Sequence, residues 1–129
     1  MTITAEAPRT DTLRDHAGPV PSDGVWHSVC TLADLEPNWG EAALVAGRQV
    51  ALFRLATGEV YAVEQRDPVS EAYVMARGIV GSRGERPTVA SPLHKEVYDL
   101  ATGERLDAPG IPLATFRARV VDGRVQVAA

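Results

Sequence analysis

The sequence holds one cysteine, Cys30, in 129 residues. No internal disulfide can form, and a reducing cytoplasm is the compartment this usage favours. One thiol also falls short of the two thiolates of a mixed Cys/His iron–sulfur centre. Long apolar runs are missing too: none approaches the ~20 residues of a membrane helix. The opening stretch, MTITAEAPRTDTLRDHAGPVPSDG, has no apolar h-region and does not read as a secretory signal. A basic excess is absent: 13 Lys and Arg stand against 17 Asp and Glu, for a net charge of −4. That argues against a nucleic-acid partner, which needs clustered cations. Histidine is scarce, with three in the chain. His94 has neither a cysteine nor a second histidine beside it, as a zinc site would require. Ser91 and His94 lack the Gly-x-Ser-x-Gly elbow of a hydrolase nucleophile. Gly78, Gly81 and Gly84 form neither GxGxxG nor a P-loop, and turns explain them.

What remains is an ordinary globular composition, 45% hydrophobic and 23% charged, long enough for one domain with its own core. Residues 1–23 contain Pro8, Pro19 and Pro21 and few large apolar side chains, so they are expected to form a flexible N-terminal tail. The body, 24–129, is a series of short strands between turn residues. VWHSVC reads as a strand, with His27 at a rim and Cys30 buried, followed by a helical turn capped at Thr31. Gly47-Arg48 reads as a two-residue hairpin loop, which would set Val45 against Val50 and Leu44 against Ala51. Asp122-Gly123 marks a type I′ hairpin that sets Val120 against Val125, Ala118 against Val127 and Arg119 against Gln126. The resulting pattern predicts an all-β antiparallel sandwich or small barrel. About residues 65–95 the pattern loosens into an inserted, loop-rich subdomain with interleaved charges, from Arg66 and Asp67 to Lys95 and Glu96.

Within that stretch, SPLHKEVYDLATGERLDAP resembles the second ligand loop of Rieske [2Fe–2S] domains, which runs Cys-Pro-x-His-Gly, aromatic-Asp-Leu, Thr-Gly and a later proline. Pro92, His94, Tyr98, Asp99, Leu100, Thr102, Gly103 and Pro109 match it. VYAVEQRDPVSEAYVMARG resembles the first ligand loop by position. The resemblance spans about residues 25–127 and implies a Rieske-like fold. Its four ligand slots hold Asp67, Val69, Ser91 and His94. Two hard oxygen donors, one aliphatic side chain and one imidazole cannot replace two thiolates and two imidazoles. No metal and no cofactor are therefore expected in this chain.

RDPVSEAYVMARGIVG and VASPL are similar to a ligand-free group of Rieske-like domains, the small subunits of assimilatory NAD(P)H-dependent nitrite reductase. That resemblance implies a cytoplasmic, heteromeric oxidoreductase that turns nitrite into ammonium. Its large subunit would carry FAD, sirohaem and an iron–sulfur cluster, and this chain would have no catalytic residue. Partner contacts are expected at the two loop tips, Arg66, Asp67, Pro68 and Val69 with Pro92, Leu93, His94 and Lys95. Charge changes at Arg66 or Lys95 would weaken the complex. A cluster-free void is costly, so Val69, Leu93 and Met75 are expected to fill it, with Asp67 in hydrogen-bond reach of Ser91 and His94 near Val69. Two other readings remain open: a Rieske-type ferredoxin serving an oxygenase, and a free-standing binding domain.

Overall fold

The computed structural model describes residues 2–4 and 24–129. Its strands, in chain order, are β1 (Thr2–Thr4), β2 (Trp26–Thr31), β3 (Trp39–Val45), β4 (Arg48–Arg54), β5 (Val60–Glu64), β6 (Ile79–Arg83), β7 (Arg86–Ala90), β8 (Val97–Asp99), β9 (Thr115–Phe116), β10 (Ala118–Val121) and β11 (Arg124–Ala128). Short 3₁₀ turns lie at Leu32–Asp34 and Met75–Arg77. The strands form three sheets, ordered β1-β3-β4-β5-β9, β10-β11-β2 and β6-β7-β8. Neighbouring strands are antiparallel except β1, which runs parallel to β3. The architecture is all-β, a stack of sheets built almost wholly from antiparallel pairs, as the strand pattern anticipates.

The middle of β4 explains how the layers stack. Val50, Ala51, Leu52 and Phe53 are four consecutive residues, all fully buried. A strand buried on one face only would alternate. Here Val50 and Leu52 join Val29, Leu35, Val45, Val125 and Val127 on the β2/β11 side. Ala51 and Phe53 join Val63, Met75, Val89, Tyr98, Leu100 and Leu113 on the other. The five-stranded sheet is thus the central layer, covered on one side by β10-β11-β2 and on the other by β6-β7-β8. The loop-rich stretch 65–95 supplies β6 and β7, and β8 completes that sheet from just beyond it.

The β10–β11 hairpin has the expected register: Ala118 faces Val127, Arg119 faces Gln126 and Val120 faces Val125. Asp122 and Gly123 take φ of 51° and 76°, as a type I′ turn requires. The β3–β4 hairpin departs from expectation. Its left-handed pair is Ala46-Gly47, with φ of 51° and 78°, and Val45 faces Arg48 while Ala43 faces Val50. The I′ turn follows the twist of the strands, and the chain accepts one alanine in the left-handed region to obtain it. The shift is by two residues, so every side chain keeps its face. Val45 and Val50 still meet in the same core.

Three further expectations meet the structure. His27 is not at a rim; it is buried, facing Val127 across β2 and β11. Cys30 is buried as expected, and loss of hydration pushes its thiol pKa up to about 11, which leaves it unreactive at neutral pH. The segment expected as a flexible tail carries β1 at residues 2–4, and its remaining positions lie outside the described residues. Among the described residues no helix is long and apolar enough to cross a membrane.

Candidate functional site

Three loops share one hydrogen-bond design. The first follows β5, the second follows β7 and the third follows β8. In the first, Glu71 N–H donates to the Asp67 carbonyl and Asp67 N–H to the Ala72 carbonyl, both at 2.8 Å. In the second, Lys95 N–H donates to the Ser91 carbonyl at 3.0 Å and Ser91 N–H to the Glu96 carbonyl at 2.9 Å. In the third, Gly103 N–H donates to the Asp99 carbonyl and Asp99 N–H to the Glu104 carbonyl, both at 2.8 Å. The fifth residue of each loop is left-handed: Glu71 at φ 68°, Lys95 at 63° and Gly103 at 79°.

Each loop opens with a short polar side chain that caps it. Asp67 Oδ1 accepts from Val69 N–H at 2.8 Å and from Ser70 N–H at 3.3 Å. Ser91 Oγ accepts from Leu93 N–H at 3.3 Å. Asp99 Oδ1 accepts from Ala101 N–H at 2.7 Å and Thr102 N–H at 3.0 Å. Such Asx-type turns need an acceptor at their first position. Asp99 occupies no ligand slot, so the demand comes from the turn itself. Asp67 and Ser91, in the two cysteine slots of the Rieske pattern, meet the same demand with oxygen. Lys95 falls in that pattern's glycine slot, and its positive φ shows why glycine suits it.

The two slots also meet each other. Ser91 Oγ donates to Asp67 Oδ2 at 2.5 Å across a separation of 24 residues. Both residues are fully buried. Burial acts to raise the Asp67 pKa, but the Ser91 hydroxyl and the Val69 and Ser70 amides outweigh it. The carboxyl is held below the usual range and is ionised at neutral pH. Beneath the loops, Tyr98 is fully buried, and loss of hydration, with the nearby charges of Asp67 and Glu96, pushes its phenol to about 12.

The expected site residues divide into two groups. Asp67 and Ser91 form a buried clasp, with Pro68, Pro92 and Arg66 half-buried around it. Val69, Leu93, His94 and Lys95 are exposed. This corrects the expectation that Val69 and Leu93 fill the space between the loops: they are 47% and 49% exposed. The clasp draws the loops together at their first positions, so the third residue of each is left at the tip. Met75 alone of the three is buried, in a 3₁₀ turn held by Gln65, whose Oε1 accepts from Ala76 N–H at 2.7 Å. Arg66 is tied to Glu71 in an ion pair.

Sequence reasoning missed the role of Arg86, which it read only as one of the interleaved charges of the 65–95 stretch, on either a solvated surface or a docking face. Its Nε donates to Asp99 Oδ2 at 2.6 Å and its Nη2 reaches Glu104 at 3.3 Å, which braces the third loop against β7. The bond from Arg86 helps to hold the Asp99 carboxyl below its usual pKa, against the opposing effect of burial. The signal was in the alternation of β7, which places Arg86 on the same face as Thr88, the partner of Asp99.

The donor set does not fit a [2Fe–2S] cluster. Asp67 and Ser91 are hard donors already bonded to each other, Val69 has no donor atom, and His94 stands alone. Among the described residues no three His, Cys, Asp or Glu side chains are grouped to hold a metal ion.

Residues 25–128 match the family model described as the Rieske-like [2Fe-2S] domain. The small subunit of nitrite reductase (NADH) from Salmonella typhimurium is 36% identical over 103 residues, 79% of this chain and 95% of that one. The chain belongs to the Rieske-like family of nitrite reductase small subunits. A further relative of this small-subunit family lies inside a larger protein. In Klebsiella oxytoca the matched 102 residues, 35% identical, form 11% of a chain named nitrite reductase [NAD(P)H] large subunit. Among solved structures, a Mycobacterium tuberculosis protein provisionally assigned as an NADH-dependent nitrite reductase small subunit superposes with a TM-score of 0.79. It is 46% identical and is covered over 96% of its length by 82% of this chain. Members of this family are named as parts of an oxidoreductase, while of the four ligand slots for the cluster in the family description only that of His94 holds a matching side chain here.

Proposed function

We propose that this chain is a cluster-free accessory subunit of a cytoplasmic NAD(P)H-dependent nitrite reductase, acting in nitrate assimilation. It docks its two loop tips on the large subunit and is inactive by itself. FAD, sirohaem and an iron–sulfur cluster belong to that partner, where nitrite is reduced to ammonium. The observation that carries the reading is the Asp67–Ser91 hydrogen bond, which joins the two cysteine slots without a metal. The Klebsiella relative supports the choice of partner, because there a homologous stretch is part of the large-subunit chain itself.

The clasp has a consequence at the surface. With the loops tied at their first positions, Val69 and Leu93 are left exposed, one on each loop, and Lys95, the only lysine in the chain, lies two residues after Leu93. Burying the exposed half of two such side chains contributes on the order of 2 kcal/mol to docking, and a charge among them would add a desolvation cost. The double change Val69→Asp with Leu93→Asp is therefore expected to weaken binding to the purified large subunit by at least ~30-fold, read by isothermal calorimetry. Unchanged affinity would move the interface off the loop tips.

Metal content tests the other half of the proposal. The purified chain is expected to contain iron and acid-labile sulfide far below stoichiometry and to show no visible absorption band. A stoichiometric cluster would instead favour the ferredoxin reading and make His94 a ligand.

A further inference from the structure

The outer edge of β3 is covered by residues from outside the family domain. The family match begins at residue 25, whereas β1 is Thr2–Thr4. Within the five-stranded sheet β1 lies beside β3, and β3 has β4 on its other side. The domain alone would therefore end in an open seven-residue edge strand, Trp39–Val45. Such an edge presents a row of unpaired N–H and C=O groups, ready to accept another strand. Thr2, Ile3 and Thr4 pair with Ala42, Ala43 and Leu44 in parallel. Ile3 packs half-buried against the core cluster that includes Val29, Val45 and Val127.

We propose that the β3 edge is a strand-acceptor surface for an extended peptide in parallel register, and that this chain's own Thr2–Thr4 is its tethered occupant. Specificity comes from the central position, where Ile3 packs on the core. The sequence of β1, TIT, is β-branched throughout, a composition suited to a strand. A three-residue strand with one apolar anchor is held weakly on its own account. Its covalent link to the domain raises its effective concentration at the edge to about the millimolar range. The occupant opens readily and guards the edge against other strands, including those of further copies. The inference is independent of the partner proposed for the loop tips.

Amide hydrogen exchange of the full-length protein tests it, with Ile3→Asp as the variant. The variant is expected to lose protection at Ala42 and Leu44, whose N–H groups face β1, by at least ~tenfold, with Ala43, β4 and β5 unchanged as the control for folding. A peptide of sequence MTITAE, added in excess to the variant, is expected to restore that protection. Equal protection in the two proteins would overturn the proposal, as would failure of the peptide to restore it. Protection in the wild type that falls on dilution would mean that a second copy supplies the strand, and would overturn the assignment to the chain's own terminus.

Discussion

Replacing Asp67 by alanine is expected to lower the unfolding free energy by about 2–4 kcal/mol in a urea titration. The carboxylate accepts three hydrogen bonds at once: from Ser91 Oγ and from the backbone N–H groups of Val69 and Ser70. Alanine strands the buried Ser91 hydroxyl and leaves the first loop without its cap. Each buried group left unsatisfied costs roughly 1–3 kcal/mol, and the loss of the Asx turn adds to it. Asp67→Asn keeps an acceptor on Oδ1 and is expected to cost about half as much.

The same pair of variants carries a pH signature. The folded Asp67 pKa lies below its unfolded value, so the folded state favours the ionised form. Its contribution is fully present above the unfolded pKa of ~3.9 and is lost as pH falls through the lower, folded pKa. The stability gap between wild type and Asp67→Asn should therefore narrow in acid, starting near that value. A cost within about 0.5 kcal/mol for Asp67→Ala, the range of ordinary surface changes, would mean that the clasp holds nothing together.

Gly103→Ala is expected to be the more damaging change, costing about 3–5 kcal/mol or preventing folding. A Cβ there would lie 1.8 Å from the Leu113 carbonyl oxygen. That oxygen belongs to backbone which is itself pinned, since Leu113 N–H donates to the Gly103 carbonyl at 2.9 Å. Gly103 also sits at φ 79°, which costs a non-glycine residue about 1–2 kcal/mol. Gly123→Ala separates the two effects. Gly123 has φ 76°, and a Cβ added there would meet nothing within 4 Å, so it bears the conformational cost alone. Thermal or urea unfolding of both variants reads the difference. Equal losses would show that the Leu113 chain gives way and that the third loop is less rigid than its contacts imply.

How much was legible depended on whether neighbours in sequence settled the matter. The β10–β11 register could be read because Asp122-Gly123 and the alternation of Ala118, Val120, Val125 and Val127 agree. The β3–β4 register was misread by two residues because glycine suits either position of a two-residue loop. Only the twist of the formed sheet selects Ala46-Gly47. His27 was misplaced for a related reason: a polar residue on a short strand looks exposed until the sheet that covers it is known. Val69 and Leu93 were assigned to a void on the assumption that loops without a metal close through apolar side chains. They close through a hydrogen bond instead, and the apolar residues are left outside.

The sequence by itself determined that two thiolates are missing, that the strands of the body, 24–129, are short and antiparallel, and that Asp67 and Ser91 stand where a Rieske pattern has cysteine. The first two follow from composition, period and local turn chemistry, which act over a few residues, and the third is what the resemblance to the Rieske loops implies. The Asp67–Ser91 hydrogen bond bears out what the resemblance implied, whereas the tertiary structure alone decided that Arg86 braces Asp99 and that Thr2–Thr4 lies along β3. Each of those contacts joins residues far apart in the chain. Their approach depends on the stacking of three sheets and the summed registers of the strands between them, which no local pattern encodes.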